Sequence, residues 1–161
     1  MQQAVKKSGT CRTSLPNETY EILLVEDNPA DAKLLQEVFK LKNFPAVFHW
    51  VVNGTDALDY LFKRGKYLRT NRPDAILLDL NVPKIDGREV LRQIHREPST
   101  SSIPVIVLTG SKYEQDIVNC YADQVVSFMP KPSELSDLEE MVQRLIAVEF
   151  PRVGIRAETR W

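Results

Sequence analysis

Residues 75–87 read Ala-Ile-Leu-Leu-Asp-Leu-Asn-Val-Pro-Lys-Ile-Asp-Gly. Ala75–Leu78 is an apolar run too short for a helix, and it stops at Asp79. That pattern reads as a buried strand with an acid at its carboxyl end. Asp86-Gly87 then opens a helix with Val90, Leu91 and Ile94 on one face, closed before Pro98. Strand, turn and helix in this order make the repeating unit of an α/β protein.

The unit recurs on both sides. Glu21–Val25 is an apolar strand that ends at Glu26-Asp27, and Asn28 and Pro29 cap and start a helix carrying Leu34, Leu35, Val38, Phe39 and Leu41. Ala46–Val52 has the β-branched and aromatic bias of a strand, and Asn53-Gly54 turns it into a helix with Ala57, Leu58, Leu61 and Phe62. The basic stretch 63–73 reads as a solvated loop. Ile103–Leu108 is a fourth strand ending at Thr109, after which Ser111 and Glu114 match a capping box. Val125–Phe128 is a short fifth strand, and Leu135, Leu138, Met141, Val142, Leu145 and Val148 give the last helix one apolar face. Five strands alternate with five helices, and the strands are unbroken apolar runs, as expected where helices cover both faces. The expected fold is α/β: a doubly wound, parallel, five-stranded sheet in the order 2-1-3-4-5. Residues 1–19 are polar and aperiodic and read as a flexible arm, 20–150 as one domain, and 151–161, which begin with a proline, as a tail.

Bulk composition narrows the function classes. At 161 residues there is room for one full core. Lys plus Arg number 21 against 22 for Asp plus Glu, which argues against nucleic acid or an anionic membrane as partner. No apolar run is long enough to cross a bilayer, and no signal peptide is visible at the N-terminus. Cys11 and Cys120 form neither a disulfide framework nor a metal-ligand spacing, which fits a cytoplasmic protein. His49 and His95 stand alone and read as structural.

In an open α/β sheet, ligands sit beyond the carboxyl ends of the strands. Glu26 and Asp27 end the first strand, Asp79 the third and Thr109 the fourth, and Lys131 lies just past the fifth. With strands one and three as neighbours, three carboxylates meet in one pocket. Three like charges that close repel, which raises at least one pKa or demands a cation, and hard oxygen ligands in that number suit Mg²⁺. A carboxylate supported in this way can attack phosphorus. Lys131 would then face the phosphoryl oxygens as a point charge, and Thr109 would offer them a hydroxyl donor. Taken singly, a strand-end Asp is as often a helix cap, and a strand-end Thr or exposed Lys is usually unremarkable. The conjunction of all five at strand ends is what points to phosphoryl chemistry.

These residues resemble bacterial response-regulator receiver domains over about residues 20–149. The matching stretches are Ile22–Asn28, Asp79–Gly87, Val107–Gly110 and Lys131-Pro132, with 30 positions from Asp79 to Thr109 and 22 from Thr109 to Lys131. Arg72-Pro73 and Asp86–Leu91 are similar to the small regulators paired with cyanobacterial phytochromes. The resemblance implies a flavodoxin-like fold and a signalling protein rather than an enzyme acting on outside substrates. It implies Asp79 as phosphoacceptor for a histidine kinase of phytochrome type. Asp27, Asp79 and the backbone carbonyl of Asn81 would bind Mg²⁺, and Glu26 would act through metal-bound water. Thr109 and the Gly110 N–H would hold the phosphoryl group with Lys131, the Lys131–Pro132 bond would be cis, and Phe128 would be the aromatic switch.

Pro130 before the lysine, Gly110, and Ala122-Asp123 after the fourth helix depart from the family pattern. Phosphatases of the haloacid-dehalogenase type use similar groups but need a second Asp where this sequence has Asn81. About a dozen residues follow the last helix, too few for a DNA reader or catalytic unit, so output is expected through protein contacts. Tyr113, Tyr121 and Phe150 motivate a homodimer through the fourth helix, fifth strand and fifth helix.

Overall fold

The computed structural model describes residues 19–110 and 125–155. The elements are β1 (Tyr20–Val25), α1 (Pro29–Leu41), β2 (Ala46–Val51), α2 (Gly54–Leu61), a 3-10 turn (Gly65–Tyr67), β3 (Ala75–Asp79), α3 (Gly87–Arg96), β4 (Val105–Thr109), β5 (Val125–Pro130) and α4 (Leu135–Arg144). All strand pairs are parallel, in the order β2-β1-β3-β4-β5, as the sequence predicts. The capping box at Ser111 and Glu114 and the Ala122-Asp123 connection lie outside the described residues.

Alternation along each strand divides the core. Ile22, Leu24, Leu77 and Ile106 pack with α1 and α4 on one face, and Leu23, Val25, Ile76, Leu78 and Val107 with α2 and α3 on the other. Both faces are therefore dry, which explains why the strands read as continuous apolar runs. Helix starts follow the cap chemistry. The Asn28 side chain accepts from the amides of Ala30 and Asp31, Asn53 from Asp56 and Asp86 from Arg88.

Three local readings need correction. In α1 the core takes Ala32, Leu35, Val38 and Phe39, while Leu34 and Leu41 are exposed. β5 carries a bulge: Val105 pairs with Val125 but Ile106 with Ser127, so Val126 is an extra residue. The inserted residue reverses the alternation and puts Val125 and Phe128 against one core face and Met129 against the other.

After Arg144 the last helix widens into a π turn (Leu145–Glu149) and continues as Phe150–Arg152. The wider turn exposes Val148 and turns Glu149 and Phe150 inward. Phe150 is fully buried against Phe39 and Phe44, which removes it from any dimer face, and Ile155 packs into the same cluster beyond Pro151. Glu149 is matched by Arg144 and Arg152 at 3.6 and 3.4 Å. Among the described residues no helix is long and apolar enough to cross a membrane.

Candidate functional site

The pairing of β1 with β3 ends at Val25 and Leu78, so the next residues, Glu26 and Asp79, emerge side by side at the carboxyl edge. Asp79 is 2% exposed and Glu26 3%, whereas Asp27 is exposed. Glu26, Asp27 and Asp79 each bring one carboxylate oxygen to within 4.8 Å of the others. The structure brings these three acids together at the carboxyl edge of the sheet.

Lys131 completes the cluster from the loop after β5. Its Nζ lies 2.6 Å from Asp79 Oδ2 and 2.9 Å from Glu26 Oε2. Burial works against the ammonium charge, but the hydrogen bonds to Asp79 and Glu26 outweigh it and push the Lys131 pKa up to about 12. The amide of Asn81 donates to Asp79 Oδ1 at 2.9 Å, so both oxygens of Asp79 are held and its carboxylate plane is fixed. Glu26 Oε1 accepts from the Asn28 amide at 3.1 Å. Burial nevertheless pushes the Glu26 pKa up; Lys131 and the Asn28 amide oppose the shift, and the charge on Asp79 adds to it.

The charges of the cluster, with all three carboxylates ionised, indicate what it can hold. Lys131 cancels one of three negative charges, and the remaining two equal the charge of one divalent cation. The donors are hard carboxylate oxygens, with exposed Asp27 open to solvent on one side. This set fits a divalent metal that keeps part of its water shell.

Thr109 ends β4 one step beyond Leu108, the partner of Asp79, and its own backbone partner is Pro130. Gly110 follows at the mouth of the site; a Cβ there would meet nothing nearer than Asn81 Nδ2 at 4.0 Å. Phe128 lies on β5 beside Val107, half-buried against the core. The Lys131–Pro132 bond is trans rather than cis, the isomer that is intrinsically favoured even before proline.

Two contributors escape sequence reasoning. The indole Nε1 of Trp50 donates to the backbone carbonyl of Glu26 at 2.7 Å and so braces the acid pair from β2. Its signal in the sequence is position alone, one residue before the end of a strand that neighbours β1. The second is Gly54, where a Cβ would lie 1.9 Å from the carbonyl oxygen of Ile85. Only a residue without a side chain lets α2 approach the β3–α3 loop this closely.

Known proteins with this arrangement are close at hand. The family model of the response regulator receiver domain matches residues 22–143. Response regulator Rcp1 of Synechocystis is 44% identical over 122 residues, covering 76% of this chain and 83% of its own length. The crystal structure of the phosphorylated cyanobacterial phytochrome response regulator RcpA aligns with a TM-score of 0.73 at 42% identity, covering 80% of this chain and 91% of that one. The Mn(2+)-bound form of Rcp1 aligns with a TM-score of 0.72 at 43% identity, covering 78% and 91%.

Proposed function

Because the chain belongs to the response regulator receiver domain family, we propose that Asp79 is its phosphoacceptor, charged by a histidine kinase of phytochrome type and read out through protein contacts. The observation that carries this reading is the Asp79 carboxylate, buried, gripped at both oxygens and within 4.8 Å of two further carboxylates.

In the proposed reaction an oxygen of Asp79 attacks phosphorus. The new oxygen–phosphorus bond forms as the phosphorus–nitrogen bond to the donor imidazole breaks, and the imidazole leaves with the electron pair. The Asn81 amide orients the attacking carboxylate. Lys131 exchanges its hold on Asp79 for the incoming phosphoryl oxygens, assisted by the Thr109 hydroxyl and the Gly110 N–H. Asp27, Asp79 and the Asn81 carbonyl, with Glu26 through water, would hold Mg²⁺, which neutralises charge on the phosphoryl oxygens. Phe128, half-buried on β5, is the proposed aromatic switch.

The test is a brief reaction with acetyl phosphate or phosphoramidate and Mg²⁺, read by intact mass. The wild type should gain one phosphoryl group and Asp79→Asn none; a gain that survives Asp79→Asn would sink the assignment. The homodimer belongs to the same proposal, now without Phe150 as support and with Tyr113 and Tyr121 outside the described residues. Light scattering that gives a monomer with and without phosphorylation would remove it.

A further inference from the structure

At the opposite end of the sheet from Asp79, a groove of about 650 Å³ lies between the end of α2, the segment leading into β3 and the turn after α3. Its floor is apolar: Leu61, Pro73 and Ile103 are buried and Phe62 is half-buried. Its rim carries exposed Lys63, Arg64 and Arg72, and the acid lining it is Glu97. Lys66 and Arg69 extend the same stretch, so residues 62–73 hold five cations and no acid in a chain whose formal net charge is -1.

Part of this charge has a local cause. Lys63 and Arg64 follow the carbonyl end of α2, where cations stabilise the helix. That account does not extend to Lys66, Arg69 or Arg72. The walls are tied together by Arg72, whose guanidinium donates to the Ser99 carbonyl and, at 2.7 Å, to Ser102 Oγ. Tyr60 Oη donates to the Asn71 carbonyl at 3.3 Å, and Thr70 Oγ1 to the Tyr67 carbonyl at 2.9 Å. Arg64 sits over the Phe62 ring at 4.8 Å and Lys66 over Tyr67 at 5.0 Å, which holds both cations near the groove. The cavity is therefore shaped before any partner arrives, which lowers the ordering cost of binding.

We propose that this groove docks an acidic segment of a partner protein, with carboxylates on the cationic rim and an apolar side chain on the floor. A concave apolar floor has no counterpart in duplex nucleic acid, which offers no apolar side chain to fill it. A membrane surface would need protruding apolar side chains, and in this stretch Leu68, at 69% exposure, is the large apolar residue that is fully outward. The five residues of β3 separate the groove from Asp79 by roughly 13–17 Å. A partner seated here leaves the phosphoacceptor open, so docking and phosphorylation are compatible.

The test uses the full chain and a short fluorescein-labelled peptide of Asp and Glu around a Leu-Leu pair, read by anisotropy. Saturable binding is expected. It should weaken about tenfold in Lys63→Glu/Arg64→Glu and less than about twofold in Lys40→Glu/Lys42→Glu, which makes the same charge change at exposed sites on and just after α1. Exchanging the leucines of the peptide for serines should also weaken binding. Absence of saturable binding would overturn the proposal, as would equal loss in the two double variants. So would tighter binding of duplex DNA or phosphatidylserine vesicles that is lost in Lys63→Glu/Arg64→Glu. Phosphoryl gain at wild-type rate by both double variants confirms that they are folded.

Discussion

Replacing Gly54 by alanine should loosen the phosphoryl site without altering any residue in it. The Gly54 amide donates to the Pro83 carbonyl at 3.2 Å, and a Cβ would stand 1.9 Å from the carbonyl oxygen of Ile85 and 2.7 Å from its carbon. Ordinary contact begins near 3.4 Å, so the β3–α3 loop would have to withdraw by about 1.5 Å. It cannot yield at its far end, because Gly87 already sits so close to Leu80 that a Cβ there would lie 2.5 Å from the Leu80 Cα. Overpacking of this kind costs about 1–3 kcal/mol, and the neighbour here is backbone, which cannot rotate away. Against this, alanine gains up to ~1 kcal/mol of helix propensity. A net loss of about 2 kcal/mol is expected, or roughly 4–8 °C in Tm. The moving loop carries Asn81, whose amide fixes Asp79. A displacement on the order of 1 Å near reacting groups can cost up to about a hundredfold, so phosphorylation by acetyl phosphate should slow by about ten- to a hundredfold. Urea melts and timed intact-mass spectra measure the two effects separately. An unchanged urea midpoint with a rate within about twofold of wild type would refute the argument. Lost stability at the wild-type rate would confine Gly54 to packing.

Three further outcomes are expected. Burial pushes the Glu26 pKa above the ordinary 4.5, so a proton binds this carboxylate more tightly in the native state than in the unfolded chain. The stability this proton contributes is present below 4.5 and lost as pH rises through the raised native value. Wild-type stability relative to Glu26→Gln should therefore fall as pH rises from 4.5, and a difference in urea midpoint that stays flat or grows with pH would contradict this. Trp50→Phe removes the hydrogen bond to the Glu26 carbonyl and should weaken Mn²⁺ binding by about fivefold, the equivalent of one hydrogen bond. It should also abolish the change in tryptophan fluorescence on titration, and a response that persists would have to come from Trp161. Phe150→Ala should cost about 3–5 kcal/mol by thermal or urea unfolding; a loss under ~1 kcal/mol would place the ring at the surface.

The sheet was legible because helices cover both of its faces. That makes each strand an unbroken apolar run, and each run stops where chemistry begins, at Glu26, Asp79 or Thr109. Strand order then brought the acids together with no further information. What stayed hidden depends on single-residue shifts in register. The π turn that buries Glu149 and exposes Val148 leaves no mark in a helical pattern, and the bulge at Val126 leaves none in a run of β-branched residues. Trp50 and Gly54 act through backbone atoms of distant residues, the carbonyls of Glu26 and Ile85, which no side-chain pattern encodes.

Lys131 joins the site to the rest of the sheet. With its pKa pushed up to about 12 it is charged at any physiological pH, so its ion pairs with Asp79 and Glu26 are permanent until a stronger anion competes. A phosphoryl group on Asp79, as proposed above, would supply that anion, carrying about −2 where the carboxylate carried one negative charge. Lys131 has little backbone freedom with which to follow it. Pro130 is the last residue of β5, paired with Thr109, and Pro132 restricts Lys131 from the other side. A pull on Nζ is thus resisted locally and is borne by β5, two residues after Phe128. The half-buried ring of Phe128 lies on that strand. If Asp79 is phosphorylated as proposed, the two prolines, one of them a departure from the family pattern, would make β5 a stiff connector between the charge at Asp79 and the rest of the sheet.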